Sequence, residues 1–110
     1  MISSCTVLIR KPLGKEEATL GIRSAWAMFS SAGMDVKIIL LGDGIYSVLG
    51  KSGYVKNLFA RFLGEEGEIH AVKEDMEQRG IEESMLPDGI TVTPAADIPE
   101  VLGEGSVLTF

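Results

Sequence analysis

The sequence predicts a single α/β domain with three layers, α/β/α, built on a five-stranded, mainly parallel sheet with helices on both faces. Three observations carry this expectation. Short apolar runs alternate five times with amphipathic segments, and the connections between them are short. Residues 36–41 (VKIILL) form a β-branched apolar run that stops at Gly42-Asp43-Gly44, the pattern of a strand buried on both faces. The chain has 110 residues, 45% of them apolar, enough for one core and too few for a second. Residues 1–110 are therefore read as one domain.

The elements follow in order. Residues 5–9 (CTVLI) read as the first strand, closed by Arg10-Lys11-Pro12-Leu13-Gly14. A helix starts near Glu16, because Ala18, Ile22, Ala25, Trp26 and Phe29 recur on one helical face. Glu16 and Glu17 suit its positive end, and Gly33 is placed to cap its carboxyl end. Residues 36–41 are the second strand. Val55, Leu58, Phe59, Phe62 and Leu63 line a second helix over residues 54–63, ended by Gly64. Residues 68–72 are a short third strand, and residues 73–79 a short helix ended by Gly80. A fourth strand, residues 90–93, follows the Pro87-Asp88-Gly89 turn. Asp97-Ile98-Pro99 opens a last short helix, with Asp97 a candidate cap and proline tolerated in the first turn. Residues 106–110 form the last strand. Residues 50–53 and 81–89 are the loose stretches.

Composition narrows the function classes. A net charge of −6 argues against nucleic acid as the main partner, since phosphate binding needs a concentrated positive face. The longest apolar runs fall far short of a membrane span. One cysteine and no visible leader segment point to a reducing, cytoplasmic setting.

The carboxyl end of the second strand is the natural place for a site, because open α/β sheets meet ligands and partners there. Gly42-Asp43-Gly44-Ile45-Tyr46-Ser47 superficially copies a dinucleotide fingerprint. Ser47 replaces its third glycine, however, and the motif follows the second strand, so a tight turn is the better reading. Asp43 is weighed equally as a cap for a following helix and as a partner contact. Lys73-Glu74-Asp75 opens a helix, where acidic residues suit ordinary helix initiation; the functional reading is that these side chains crowd the same rim. The candidate binding residues are thus Asp43, Gly44, Tyr46, Lys73 and Glu74. Arg10, Lys11 and Lys15 read as a solvated loop, since Glu16 and Glu17 would repel an anion held there. His70 has no second histidine to share a metal and reads as structural or interfacial. Cys5 sits within a strand with no local cation, so a buried, unreactive thiol is expected. No metal, cofactor or catalytic residue is assigned.

Taken in order, these segments resemble the DsrE/DsrF/DsrH (TusBCD) superfamily of small sulfur-relay proteins. The strand ending in Asp-Gly plus an aliphatic residue matches residues 38–45, and the third strand with its helix and Arg-Gly-aliphatic ending matches residues 69–81. Lys73-Glu74-Asp75-Met76 looks most like the DsrH (TusB) branch. Val107-Leu108-Thr109-Phe110 and the opening strand with its long helix look like DsrF (TusC). The resemblance implies trimers or hexamers, built from one subunit or from paralogues. It also implies a sulfur-accepting cysteine just after the third strand. That position, eight residues before Gly80, is Val72 here. Unless Cys5 carries sulfur, the chain resembles the non-catalytic subunits, with a structural or partner-recruiting role. The alternative is a small-molecule-binding or enzymatic domain using the rim around Asp43 and Lys73. Tyr46, Val48, Leu49 and Tyr54 are expected to form an exposed apolar surface suited to self-association.

Overall fold

The computed structural model describes residues 4–11, 16–30, 33–49, 54–65, 67–103 and 105–110. The expected turn at 12–15, the loop at 50–53, and the side chains of Glu16, Glu17, Ala18, Tyr54 and Val55 lie outside the described residues.

Five strands, β1 (Ser4–Ile9), β2 (Asp35–Leu40), β3 (Glu68–Val72), β4 (Thr91–Thr93) and β5 (Ser106–Thr109), form one sheet in the order β4-β3-β2-β1-β5. Every pairing is parallel. Among the described residues, four α-helices connect them: α1 (Glu16–Ser30), α2 (Tyr54–Gly64), α3 (Lys73–Gln78) and α4 (Ile98–Leu102). The expected alternation is therefore the observed one. Element ends differ by a residue or two, where frayed ends are always soft.

Strand alternation explains the layers. Cys5, Val7 and Ile9 of β1, Val36, Ile38 and Leu40 of β2, and Ile69 and Ala71 of β3 share one face, and all belong to the main core. On that face α1 contributes Ile22 and Ala25, while α2 contributes Leu58, Phe59 and Phe62. The two helices lock together through Phe29 and Phe62, whose ring centroids are 4.9 Å apart, and through Arg61 over the Trp26 ring at 5.2 Å. Past the end of α1, Gly33 takes a positive φ of 65°, and the Met34 amide returns to the Met28 carbonyl at 3.1 Å.

The opposite face carries Thr6, Leu8, Lys37, Ile39, His70, Val72 and Thr93. Among the described residues, α4 and the turn before it lie over that face. Lys37 Nζ donates to the Val101 carbonyl at 3.2 Å, fastening α4 to β2. Ile38, Ile39 and Leu40 are all fully buried, as expected of a strand covered on both sides.

Four local expectations need correction. The segment after β2 is a seven-residue 3-10 helix, Gly42–Val48, and not a bare tight turn. With three residues per turn, positions three apart share a face. Ile45 and Val48 therefore enter the core, Gly44 and Ser47 are buried beside them, and Asp43 and Tyr46 face outward. Val48 is thus a core residue and not part of an exposed patch. Residues 81–89 contain a second 3-10 turn, Glu83–Met85, where the Glu82 amide donates to Met85 Sδ at 3.5 Å. Asp97 stands at the cap position of α4, but its carboxylate makes no capping bond, because a 3-10 turn at Ala95–Asp97 already leads the chain into the helix.

Candidate functional site

The carboxyl ends of β2, β3 and β4 meet at one rim, and its organisation begins with glycine. Gly42 has a positive φ of 55°, which lets the chain break from β2 at once. Gly44 then runs against β1, so closely that a Cβ there would collide with the Ile9 carbonyl oxygen. No other residue fits.

Asp75 of α3 and Arg79, the residue that caps its carboxyl end, fasten this turn. Asp75 Oδ2 accepts the Gly42 amide at 2.8 Å. Arg79 Nε donates to Asp43 Oδ1 at 3.1 Å, while its Nη1 donates to the Asp75 carbonyl at 3.0 Å. Asp75 and Arg79 are four residues apart, so α3 and the residue capping its end together face the 3-10 helix. Asp43 is therefore an ion-pair partner; the cap position of its helix is Leu41. Glu74 Oε1 accepts the Ala95 amide at 2.9 Å, tying α3 to the turn before α4. That hydrogen bond is the main reason its carboxyl is held below the usual glutamate value.

The rim does not gather all of the proposed residues in one place. Asp43 and Tyr46 are exposed on the 3-10 helix, and Gly44 is buried behind them. Lys73 instead borders a separate groove of about 310 Å³ at the β4 edge, with Glu77, Glu82 and Glu83. Sequence reasoning did not single out Arg79 as a rim group. Its signal was the spacing to Asp75 on one short helix.

Beneath α4, Leu8, Ile39, Leu41, Val72, Ile98 and Leu102 line an apolar groove of about 250 Å³, with Asp75 at its rim. Its lining suits apolar contact. Val72, where the resemblance expects a sulfur carrier, forms part of its floor and is 5% exposed. His70 spends both ring nitrogens internally, Nδ1 with Thr93 Oγ1 at 2.8 Å and Nε2 with Glu68 Oε1 at 2.9 Å. It joins β3 to β4 and is structural. Among the described residues no cluster of His, Cys, Asp and Glu could hold a metal, and no helix is long and apolar enough to cross a membrane.

Cys5 lies at the opposite, amino end of the sheet, paired with Val36 and Ser106. It is 3% exposed, and burial raises its pKa above the ordinary thiol value. The Lys37 ammonium belongs to the other face of the sheet and is engaged with Val101. Four residues of strand, roughly 13 Å, separate Cys5 from the rim at Ile9.

The family model of DsrH-like proteins matches residues 23–97. This chain belongs to the DsrH-like family. The match spans β2, β3, β4 and the whole rim. Solved structures place the fold of this DsrH-like chain among close neighbours. It superposes on the ychN protein from E. coli with a TM-score of 0.82 at 22% identity, covering 100% of both chains. Similarity extends to BT1422 from Bacteroides thetaiotaomicron, a conserved protein of unknown function, with a TM-score of 0.80 and 20% identity over 98% of this chain and 95% of that one. MTH1491 from Methanobacterium thermoautotrophicum follows at 0.73 and 13% identity over 97% of this chain and 98% of that one. At these identities the likeness is one of fold. A search of curated protein sequences found no match.

Proposed function

We propose that this DsrH-like chain is a subunit of a sulfur-relay type assembly that carries no sulfur itself and serves a structural or partner-recruiting role. One observation carries the reading. The junction of β3 and α3, where the sulfur-relay resemblance puts an accepting cysteine, ends in Val72, a side chain with no nucleophile. The start of a helix favours a thiolate, so the position suits a carrier thiol and the residue does not.

Cys5 is the single thiol of the chain, and its environment argues against the role. Transfer needs a thiolate open to a partner, whereas Cys5 is enclosed, has a raised pKa and sits at the far end of the sheet from the rim. Recruitment instead fits the rim, where Asp43 and Tyr46 stand outward on a 3-10 helix braced by α3. The assembly is placed in the cytoplasm, where thiols stay reduced.

The test is to incubate the purified chain with a persulfide donor, alone and with DsrE-like paralogues, and to follow intact mass. No sulfur adduct on this chain is expected, together with complex formation that Asp43→Ala or Lys73→Ala weakens. A Cys5 adduct that disappears along with relay activity in Cys5→Ser would overturn the reading.

A further inference from the structure

We infer that the Asp88–Gly89 pair is a site of spontaneous covalent modification, at which the folded chain converts Asp88 to isoaspartate through a cyclic imide. The attacking group is the main-chain nitrogen of the next residue, and glycine leaves that nitrogen unshielded and the backbone free to turn. Of the chain's five aspartates, Asp43 and Asp88 precede glycine. Asp35 and Asp97 precede the β-branched Val36 and Ile98, and Asp75 precedes Met76. The sequence thus offers two candidates, and the fold separates them.

Asp43–Gly44 is locked. Both residues lie within the 3-10 helix, and the Gly44 amide donates to the Leu41 carbonyl at 3.0 Å. Gly44 is buried against β1, where an added Cβ would meet the Ile9 carbonyl oxygen. Its nitrogen cannot swing toward the Asp43 carboxyl group without breaking that hydrogen bond and displacing β1. Arg79 also draws the Asp43 carboxylate to itself at 3.1 Å. The Asp43 side chain is 60% exposed, so its protection comes from fixed geometry and not from exclusion of water.

Asp88–Gly89 has the opposite setting. It lies in the turn between the 3-10 turn Glu83–Met85 and β4, and both residues are exposed. Among the described residues, neither the Gly89 amide nor the Asp88 carboxylate has a hydrogen-bond or ion-pair partner. Gly89 has a positive φ of 97°, and an added Cβ there would meet only the Leu63 side chain, at 3.5 Å or more. Glycine crosses between positive and negative φ at little cost, so this turn can reach the attacking geometry while the rest of the chain stays folded.

The step balances with water as the only other reactant. Gly89 N bonds to Asp88 Cγ, the Cγ–OH bond breaks, and the amide proton leaves with the hydroxyl as water. A second water then opens the imide at either carbonyl. Opening at Cγ restores aspartate. Opening at the main-chain carbonyl carbon leaves the chain running through Cβ and Cγ, with a free α-carboxylate and no change of mass. The lengthened backbone adjoins Ile90, which is buried beside Val48, Phe59, Leu63 and Pro87 around a pocket of about 170 Å³. The modification therefore falls on the seam between α2 and β4. This inference does not rest on the sulfur-relay reading.

The test ages the purified chain in warm neutral buffer and, in parallel, in denaturant. A tryptic digest puts the two Asp-Gly pairs on separate peptides, residues 38–51 and 80–110. Electron-transfer fragmentation, and labelled methyl transfer by an isoaspartate-specific carboxyl methyltransferase, identify the isomer. In denaturant both pairs should convert at similar rates. In the native chain Asp88 should convert still, whereas Asp43 should slow at least about tenfold, because it must await local opening. Asp88→Asn, which loses ammonia in place of water, should convert faster. Asp88→Glu, which would need a larger ring, should give no isomer at that position. A native chain without isoaspartate at position 88 would overturn the proposal, whatever the denatured chain does. So would native conversion at Asp43 as fast as at Asp88.

Discussion

Arg79 reaches from the carboxyl-end cap of α3 to Asp43 on the 3-10 helix, Nε to Oδ1, at 3.1 Å, and its other arm holds the carbonyl of Asp75. The carboxylate of Asp75 in turn holds the Gly42 amide at 2.8 Å. The turn after β2 is therefore braced by the short helix that follows β3. The two contacts differ in weight, because Asp43 is 60% exposed at its side chain whereas the Asp75 bond is partly buried.

Asp75→Ala should cost about 1.5–3 kcal/mol, the range for a hydrogen bond to a charged group. Breaking the Asp43–Arg79 pair, read by a double-mutant cycle, should show a coupling of about 0.2–1 kcal/mol, as water screens it. Urea denaturation of the single and double variants measures both. Equal losses would contradict this ordering.

Gly44→Ala should destabilise the fold by more than about 3 kcal/mol or prevent folding, because the new methyl meets a backbone carbonyl that cannot step aside. Gly64→Ala is the contrasting variant. At the end of α2 an added Cβ meets nothing within 4 Å, so the change should be neutral or stabilise by about 0.5–1 kcal/mol. Thermal melts of the two variants should move far apart.

Cys5 should alkylate slowly in the native protein at pH 8 and readily once unfolded. Burial raises its folded pKa, so less thiolate is present than in the free chain. The same shift sets a pH dependence. Below the ordinary value of 9.0 both states keep the proton and stability is unaffected. Above it the unfolded chain releases the proton first, so stability falls until the folded thiol also ionises. Cys5→Ala should flatten that alkaline slope in denaturation curves taken from mildly to strongly alkaline pH.

Glu74 should respond at the acid end. Its folded pKa lies below the ordinary 4.5, so the contribution of its bond to Ala95 is present above that value. It is lost as pH falls through the folded value. Carboxyl resonances followed by NMR should show Glu74 titrating below the ordinary glutamate value of 4.5, and Glu74→Gln should remove that feature.

Much of this architecture is written in local pattern. Period-two and period-3.6 repeats of Val, Ile, Leu and Phe determined by themselves that strands and helices alternate, and β2 showed its double burial through an unbroken apolar run. Such signals survive because each depends on residues near one another in the chain. Gly42-Asp43-Gly44 marks the rim in the same way, as a break in an apolar run that any reader of the chain can see. Only the tertiary structure decided the order β4-β3-β2-β1-β5 and with it which strands became edges. It also decided that Asp43 pairs with Arg79, that Val48 turns into the core, and that β5 ends with Val107 and Leu108 uncovered. Those outcomes depend on groups dozens of residues apart meeting at a distance of a few ångströms. The energy of such meetings belongs to the assembled pair and leaves no mark on either segment alone.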